Sequence, residues 1–204
     1  GVRHPVLAAR AVMDAGRHVL LAGPGAEAFA RDAGLAFEPG EWFVTGRRRR
    51  ELARRTATPA GGGSTVGAVA RDVDGHLAAA TSTGGRTGQL PGRIGDSPVP
   101  GAGTWADDAT CALSATGVGE AFLRSAFAHE VDARLRLGGA DLDTACRAAL
   151  AAVTAAGGDG GCIAVSGQGP PVLPFTTALM HRGWAEVGGG LYVAAAPGPL
   201  EQSE

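Results

Sequence analysis

Apolar residues in the first third of the chain recur at helical spacing. Behind Pro5, the positions Val6, Leu7, Ala11, Val12 and Met13 predict an amphipathic helix with proline in its first turn. His18 to Ala22 (HVLLA) reads as a short apolar strand, and Gly23 opens a second helix through Phe29 and Ala30. Thr45 can cap a third helix running through Arg47, Arg50, Leu52 and Arg55. Thr56 to Ser64 (TATPAGGGS) carries no apolar side chain larger than alanine and reads as a linker, the kind of segment where cleavage concentrates.

At Thr65 the period changes from helical to alternating. TVGAVARD predicts a strand, Asp74-Gly75 a turn, and HLAAATST a returning strand. A three-residue loop, Val73-Asp74-Gly75, would set Thr65 across from Thr83; a two-residue turn would set Thr83 against Val66 instead. Gly84 to Gly103 reads as a long Gly/Pro loop, too polar and broken for a core. Ala109 to Thr116 (ATCALSAT) predicts a small-residue strand ending at Thr116-Gly117. A helix with Phe122, Leu123, Phe127, Val131 and Leu135 at helical spacing follows.

Composition narrows the function classes. The chain has 204 residues, enough for one domain with a real core, and 45% hydrophobic against 19% charged content argues against disorder. All 18 basic residues are arginine, and 34 glycines with 41 alanines reflect a GC-rich coding bias more than function. A net charge of −2 leaves no footprint for nucleic acid, and no apolar run reaches the roughly 18 residues of a membrane span. Cys111, Cys146 and Cys162 are odd in number, widely spaced and without a metal-ligand pattern, which predicts buried reduced thiols in a cytoplasmic protein.

Three stretches invite chemistry. GPGAEA at 23–28 fits the dinucleotide fingerprint, but the second strand with its terminal acid is missing: Pro39-Gly40-Glu41-Trp42-Phe43 and an arginine-rich helix stand there instead. The run Arg47 to Arg50 could hold an anion or simply be the solvated face of a helix. In GRIGDSP, Arg93 and Asp96 beside Ser97 could grip a zwitterion, guanidinium on carboxylate and carboxylate on ammonium, or pair with each other inside the loop.

TVGAVARDVDGHLAAATSTGG at 65–85, PGRIGDSPVPGAGTWADD at 91–108 and the following TCALSATGVGEAFLR resemble the plant-type asparaginase/isoaspartyl peptidase family of N-terminal-nucleophile hydrolases. VMDAGRHVLLAGPGAEAFARDAGL resembles the later part of that family's α-subunit, and PFTTALMHRGW its closing hairpin. The resemblance implies an α+β fold, a four-layer αββα sandwich, here without the family's first strand and helix. Residues 1–64 correspond to the later part of the α-subunit with its linker and 65–204 to the β-subunit, together one domain.

It also implies a zymogen cut autocatalytically between Ser64 and Thr65, with Thr65 as the nucleophile. Thr83 resembles the hydroxyl that orients it, Arg93 the clamp for a substrate α-carboxylate, and Asp96 the acceptor for an α-ammonium. Thr116, through its side chain, and Gly117, through its N–H, resemble the oxyanion hole, so both count as catalytic and substrate-binding positions. The implied substrate is L-asparagine or a β-aspartyl dipeptide, without cofactor, nucleic acid or membrane; the implied assembly is an (αβ)2 homo-oligomer.

The sequence departs from the family pattern in three places. Ser64 replaces the usual glycine, Thr176 stands where asparagine is common, and the opening segment with its structural sodium loop is missing. These departures motivate two alternatives: a truncated non-catalytic homologue, or, within the enzyme class, a glycosylasparaginase.

Overall fold

The computed structural model describes residues 1–55 and 63–203. The linker expected at Thr56 to Ser64 therefore lies, apart from its last two residues, outside the described residues. The chain divides into two compact units, Gly1–Ser64 with Ser82–Ile94, and Thr65–Thr81 with Gly95–Glu204. Helices and antiparallel sheets are mixed, as the sequence patterns predict.

The first unit carries three helices. α1 (Pro5–Ala15) has proline in its first turn and stops at Gly16, whose φ of 65° favours a residue without a Cβ. α2 (Gly23–Asp32) opens at the GPG sequence, and α3 (Gly46–Arg55) starts where Thr45 Oγ1 accepts the Arg48 N–H at 3.2 Å. Arg47, Arg49 and Arg50 are exposed, a solvated helix face. The expected strand at His18 to Ala22 does not form. Val19 is 82% exposed, and no strand among the described residues pairs with the run, so it stays an irregular connector that bends at Val19.

The second unit holds the core. β1 (Gly63–Arg71) and β2 (Leu77–Arg86) form a two-stranded ribbon, of which residues 65–71 and 77–81 belong to this unit, and β3 (Thr104–Ala106), β4 (Cys111–Gly117) and β5 (Gly160–Ser166) an antiparallel sheet in that order. α4 (Gly119–Arg124), α5 (Phe127–Arg136) and α6 (Leu142–Ala155) bury Phe122, Phe127, Val131 and Val153 with Leu113 of β4. The sheet of β6 (Arg182–Ala185), β7 (Leu191–Ala194) and β8 (Glu201–Ser203) follows. Cys111, Cys146 and Cys162 are free and buried, and burial pushes the Cys111 thiol up to about 12.

Two expectations need correction here. The helix read through Phe122 and Leu135 is broken at Ala126, which sits at φ 45°, ψ 49°. That break lets the first N–H groups of α5 meet a loop: Ala128 donates to Ala102 O (3.2 Å) and His129 to Gly101 O (2.9 Å). The stretch Gly84 to Gly103 is not all open loop. Gly84, Gly85 and Arg86 continue β2, while Asp96, Ser97 and Ala102 are at most 5% exposed.

Candidate active site

Alternation along β1 decides which way Thr65 faces. Thr65, Gly67 and Val69 are half-buried, whereas Val66, Ala68 and Ala70 are exposed, so the first three share the inner face. Gly67 lies directly against β4: a Cβ there would overlap the Ser114 hydroxyl. The same Ser114 Oγ is 2.7 Å from Thr81 Oγ1, which also donates to Gly103 O at 3.4 Å.

The far end of the ribbon sets its direction. Arg71 donates from Nη1 to Ser166 O (2.9 Å) and Gly169 O (3.1 Å), and Ser166 is the β5 partner of Cys111, the first residue of β4. At the turn, Asp108 takes the Leu77 N–H at 2.7 Å and the His76 ring at 2.8 Å. The turn is the three-residue one, with Asp72 N–H donating to His76 O and Gly75 at φ 89°. Because β1 runs from Gly67 over Ser114 to Arg71 beside the start of β4, the two strands run oppositely. Thr65 therefore lies toward the Thr116–Gly117 end of β4.

At that end the backbone offers a donor. Val118 N–H donates to Asp159 O at 2.9 Å, which makes that pair hydrogen-bonded. Ladder bonds alternate, so the Gly117–Gly160 pair is a non-bonded one and the Gly117 N–H turns away from β5. Ala115, turned the same way, donates to Gly103 O at 2.9 Å on the β3 side. β3 pairs only as far as Thr104 with Ser114, so Gly117 lies past its end. Gly117 has φ 149°, and a Cβ would overlap Asp159 O and come to 2.7 Å from Phe122, so glycine is required.

Asp96 is 5% exposed beside this strand. Its carbonyl accepts from Val99 (2.9 Å) and Gly103 (3.1 Å), and Gly103, bound to Ala115, lets the carboxylate lie against bare backbone. Thr65, Asp96, Thr116 and Gly117 thus belong to one unit. Thr83 and Arg93 fall in the segment grouped with the first unit: Thr83 Oγ1 accepts the Gly85 N–H at 3.1 Å, and Arg93 Nη1 lies 3.5 Å from Gln89 Oε1.

Sequence reasoning passed over Thr81, Ser114 and Gly103. A glycine inside an alternating strand signals close approach of another backbone, and Gly67 carried that signal. Among the described residues no group of three or more His, Cys, Asp or Glu could hold a metal ion, and no helix is long and apolar enough to cross a membrane.

A sequence profile for a family described as asparaginase matches residues 1–192. Over 201 residues the chain is 46% identical to the isoaspartyl peptidase of Salmonella typhimurium, a match covering 92% of this chain and 64% of that protein. Against the isoaspartyl peptidase of Escherichia coli the identity is 45%, with 92% and 63% covered. The plant-type L-asparaginase of Pyrobaculum calidifontis is 40% identical over 200 residues, with 92% and 66% covered. The chain spans just under two thirds of the length of these relatives. A profile match over nearly the whole chain, with relatives at this level of identity, means that the chain belongs to the asparaginase family.

Proposed function

We propose that this chain is the reactive part of an amidohydrolase that cleaves itself before Thr65 and then hydrolyses L-asparagine or β-aspartyl dipeptides. The observation that carries the reading is the antiparallel lie of β1 on β4, which sends Thr65 to the end where Gly117 turns its N–H away from β5. The substrate class follows the names of the relatives, isoaspartyl peptidase and L-asparaginase.

Scission of the Ser64–Thr65 bond gives Thr65 a free α-amine, with a reference pKa of about 7.7–8.0, so a neutral fraction exists near pH 7. That amine takes the Thr65 hydroxyl proton as Oγ1 attacks the side-chain amide carbonyl. Negative charge gathers on the carbonyl oxygen, where the Thr116 hydroxyl and the Gly117 N–H donate. The C–N bond then breaks, and the protonated α-amine returns its proton to the leaving nitrogen as ammonia or an amino acid departs. Water hydrolyses the ester, releasing aspartate and restoring Thr65. Thr83 orients the nucleophile, Arg93 holds the α-carboxylate and Asp96 the α-ammonium. The complete enzyme is an αββα sandwich assembled as an (αβ)2 oligomer.

The test is incubation followed by mass spectrometry, with turnover of L-asparagine, a β-aspartyl dipeptide and an N-glycosylated asparagine compared between wild type and Thr65→Ala. Two pieces split before Thr65 and activity lost in the variant are expected. A chain that stays intact and turns over no faster than Thr65→Ala would instead be a non-catalytic homologue. Preference for the glycosylated substrate would move the reading to a glycosylasparaginase.

A further inference from the structure

Thr176 is fastened to Gly160 three times. Its N–H donates to Gly160 O at 2.7 Å, its hydroxyl donates to the same oxygen at 3.2 Å, and the Gly160 N–H donates back to Thr176 Oγ1 at 3.1 Å. Gly160 stands opposite Gly117 across β4 and β5, in a pair that shares no ladder hydrogen bond. Neither residue has a side chain to wedge it in place. A Cβ on either would overlap backbone across the pair or lie 2.7 Å from Phe122. The flanking ladder bonds turn the Gly117 N–H away from β5, backbone packing on Gly160 limits how far that peptide can tilt, and Gly160 is held from its other side by Thr176.

We propose that Thr176 is a positioning residue: by clamping Gly160 it fixes the direction in which the Gly117 N–H points, and so the alignment of the oxyanion donor. The inference rests on the reading of Gly117 given above. The flanking bonds of this segment, Cys162 N–H to Pro174 O at 3.0 Å and Thr176 N–H to Gly160 O, use main-chain atoms only. Removing the hydroxyl therefore leaves the segment in place, and Thr176 is exposed, so no cavity opens.

The experiment compares wild type, Thr176→Val, Thr176→Ser and Thr65→Ala, with rates normalised to the fraction cleaved before Thr65 as read by mass spectrometry. A misaligned donor acts on the transition state. Thr176→Val should therefore lower kcat about ten-fold, a part of the 10²–10³ lost when such a donor is removed, with KM little changed. Thr176→Ser, which keeps the hydroxyl, should recover wild-type kcat. The proposal is overturned if Thr176→Val keeps wild-type kcat, if KM rises at constant kcat, or if serine is as impaired as valine. Wild type no faster than Thr65→Ala would remove the nucleophile reading and this proposal together; an active wild type matched by Thr176→Val removes this proposal alone.

Discussion

Adding a methyl group at Gly67 while removing the Ser114 hydroxymethyl tests the packing that places Thr65. An alanine at 67 would overlap the Ser114 hydroxyl and bring its Cβ to 2.7 Å from Ser114 Cβ, with Ala80 O at 3.6 Å. Ser114 is 4% exposed and its hydroxyl is tied to Thr81 at 2.7 Å, so it cannot swing aside freely. Gly67→Ala should cost about 2–3 kcal/mol, the upper part of the range for overpacking. Ser114→Gly forfeits a hydrogen bond of about 1 kcal/mol and places glycine in a strand interior for about another 1 kcal/mol. Independent effects would sum to about 4–5 kcal/mol. In the double variant the overlapping atoms are gone and the new methyl fills the space Ser114 vacated. Its cost should be about 2 kcal/mol, a coupling of about 2–3 kcal/mol. Urea unfolding at constant slope gives each value, and melting should follow at about 2–4 °C per kcal/mol for a chain of this length. A double variant as unstable as the sum would refute the contact between β1 and β4, and with it the position of Thr65.

Ala126→Gly should stabilise the protein by about 0.5–1 kcal/mol, because a left-handed alanine costs about 1–2 kcal/mol and glycine gives part of that back as chain entropy; a lower melting temperature in calorimetry would contradict it. The hydrogen bond and charge of Asp108 raise His76 above 6.5, while His76 and the Leu77 N–H lower Asp108 below 3.8. The His76 contribution is full below 6.5 and is lost as pH rises through its folded value, whereas that of Asp108 is present above 3.8 and is lost as pH falls through its folded value. His76→Ala should accordingly flatten the decline in melting temperature on the alkaline side, and an NMR titration placing His76 at or below 6.5 would defeat the assignment. Cys111, Cys146 and Cys162 should resist a thiol reagent at pH 8 in the folded protein and all react on denaturation; rapid labelling of the native protein would contradict their burial.

Features with a local cause were legible in the sequence. Pro5 and Thr45 mark helix starts because they act on their own first turns, and Gly75 marks a hairpin because its φ of 89° excludes most side chains. Features whose partner lies far along the chain were not. His18 to Ala22 has the apolar run of a strand but acquires no ladder partner among the described residues. Within the loop, Gly95 to Ser97 and Gly101 to Gly103 are buried while Pro98 and Pro100 stay exposed; the Gly101 and Ala102 carbonyls meet the N-terminus of α5, and nothing in the stretch announces that demand. At the candidate site, the packing of Gly67 and Thr81 on Ser114 is what turns Thr65 toward the Thr116–Gly117 end of β4, and no spacing along the chain announces that packing. The clamp of Thr176 on Gly160 likewise joins residues sixteen positions apart.

The fastening of the β1–β2 ribbon makes it a beam supported at its tip and again at Ser114, with Thr65 on the overhang. Arg71 and Asp108 grip the tip, whereas Thr65 sits at the opposite end of the inner face, about 20 Å away at strand spacing. With Ser114 as the fulcrum, two residues from Thr65 and four from Arg71, a shift at the tip is passed on to Thr65 at about half its size and with opposite sign. Loosening the grip at Arg71 would therefore be felt in the aim of the hydroxyl before it is felt in the core.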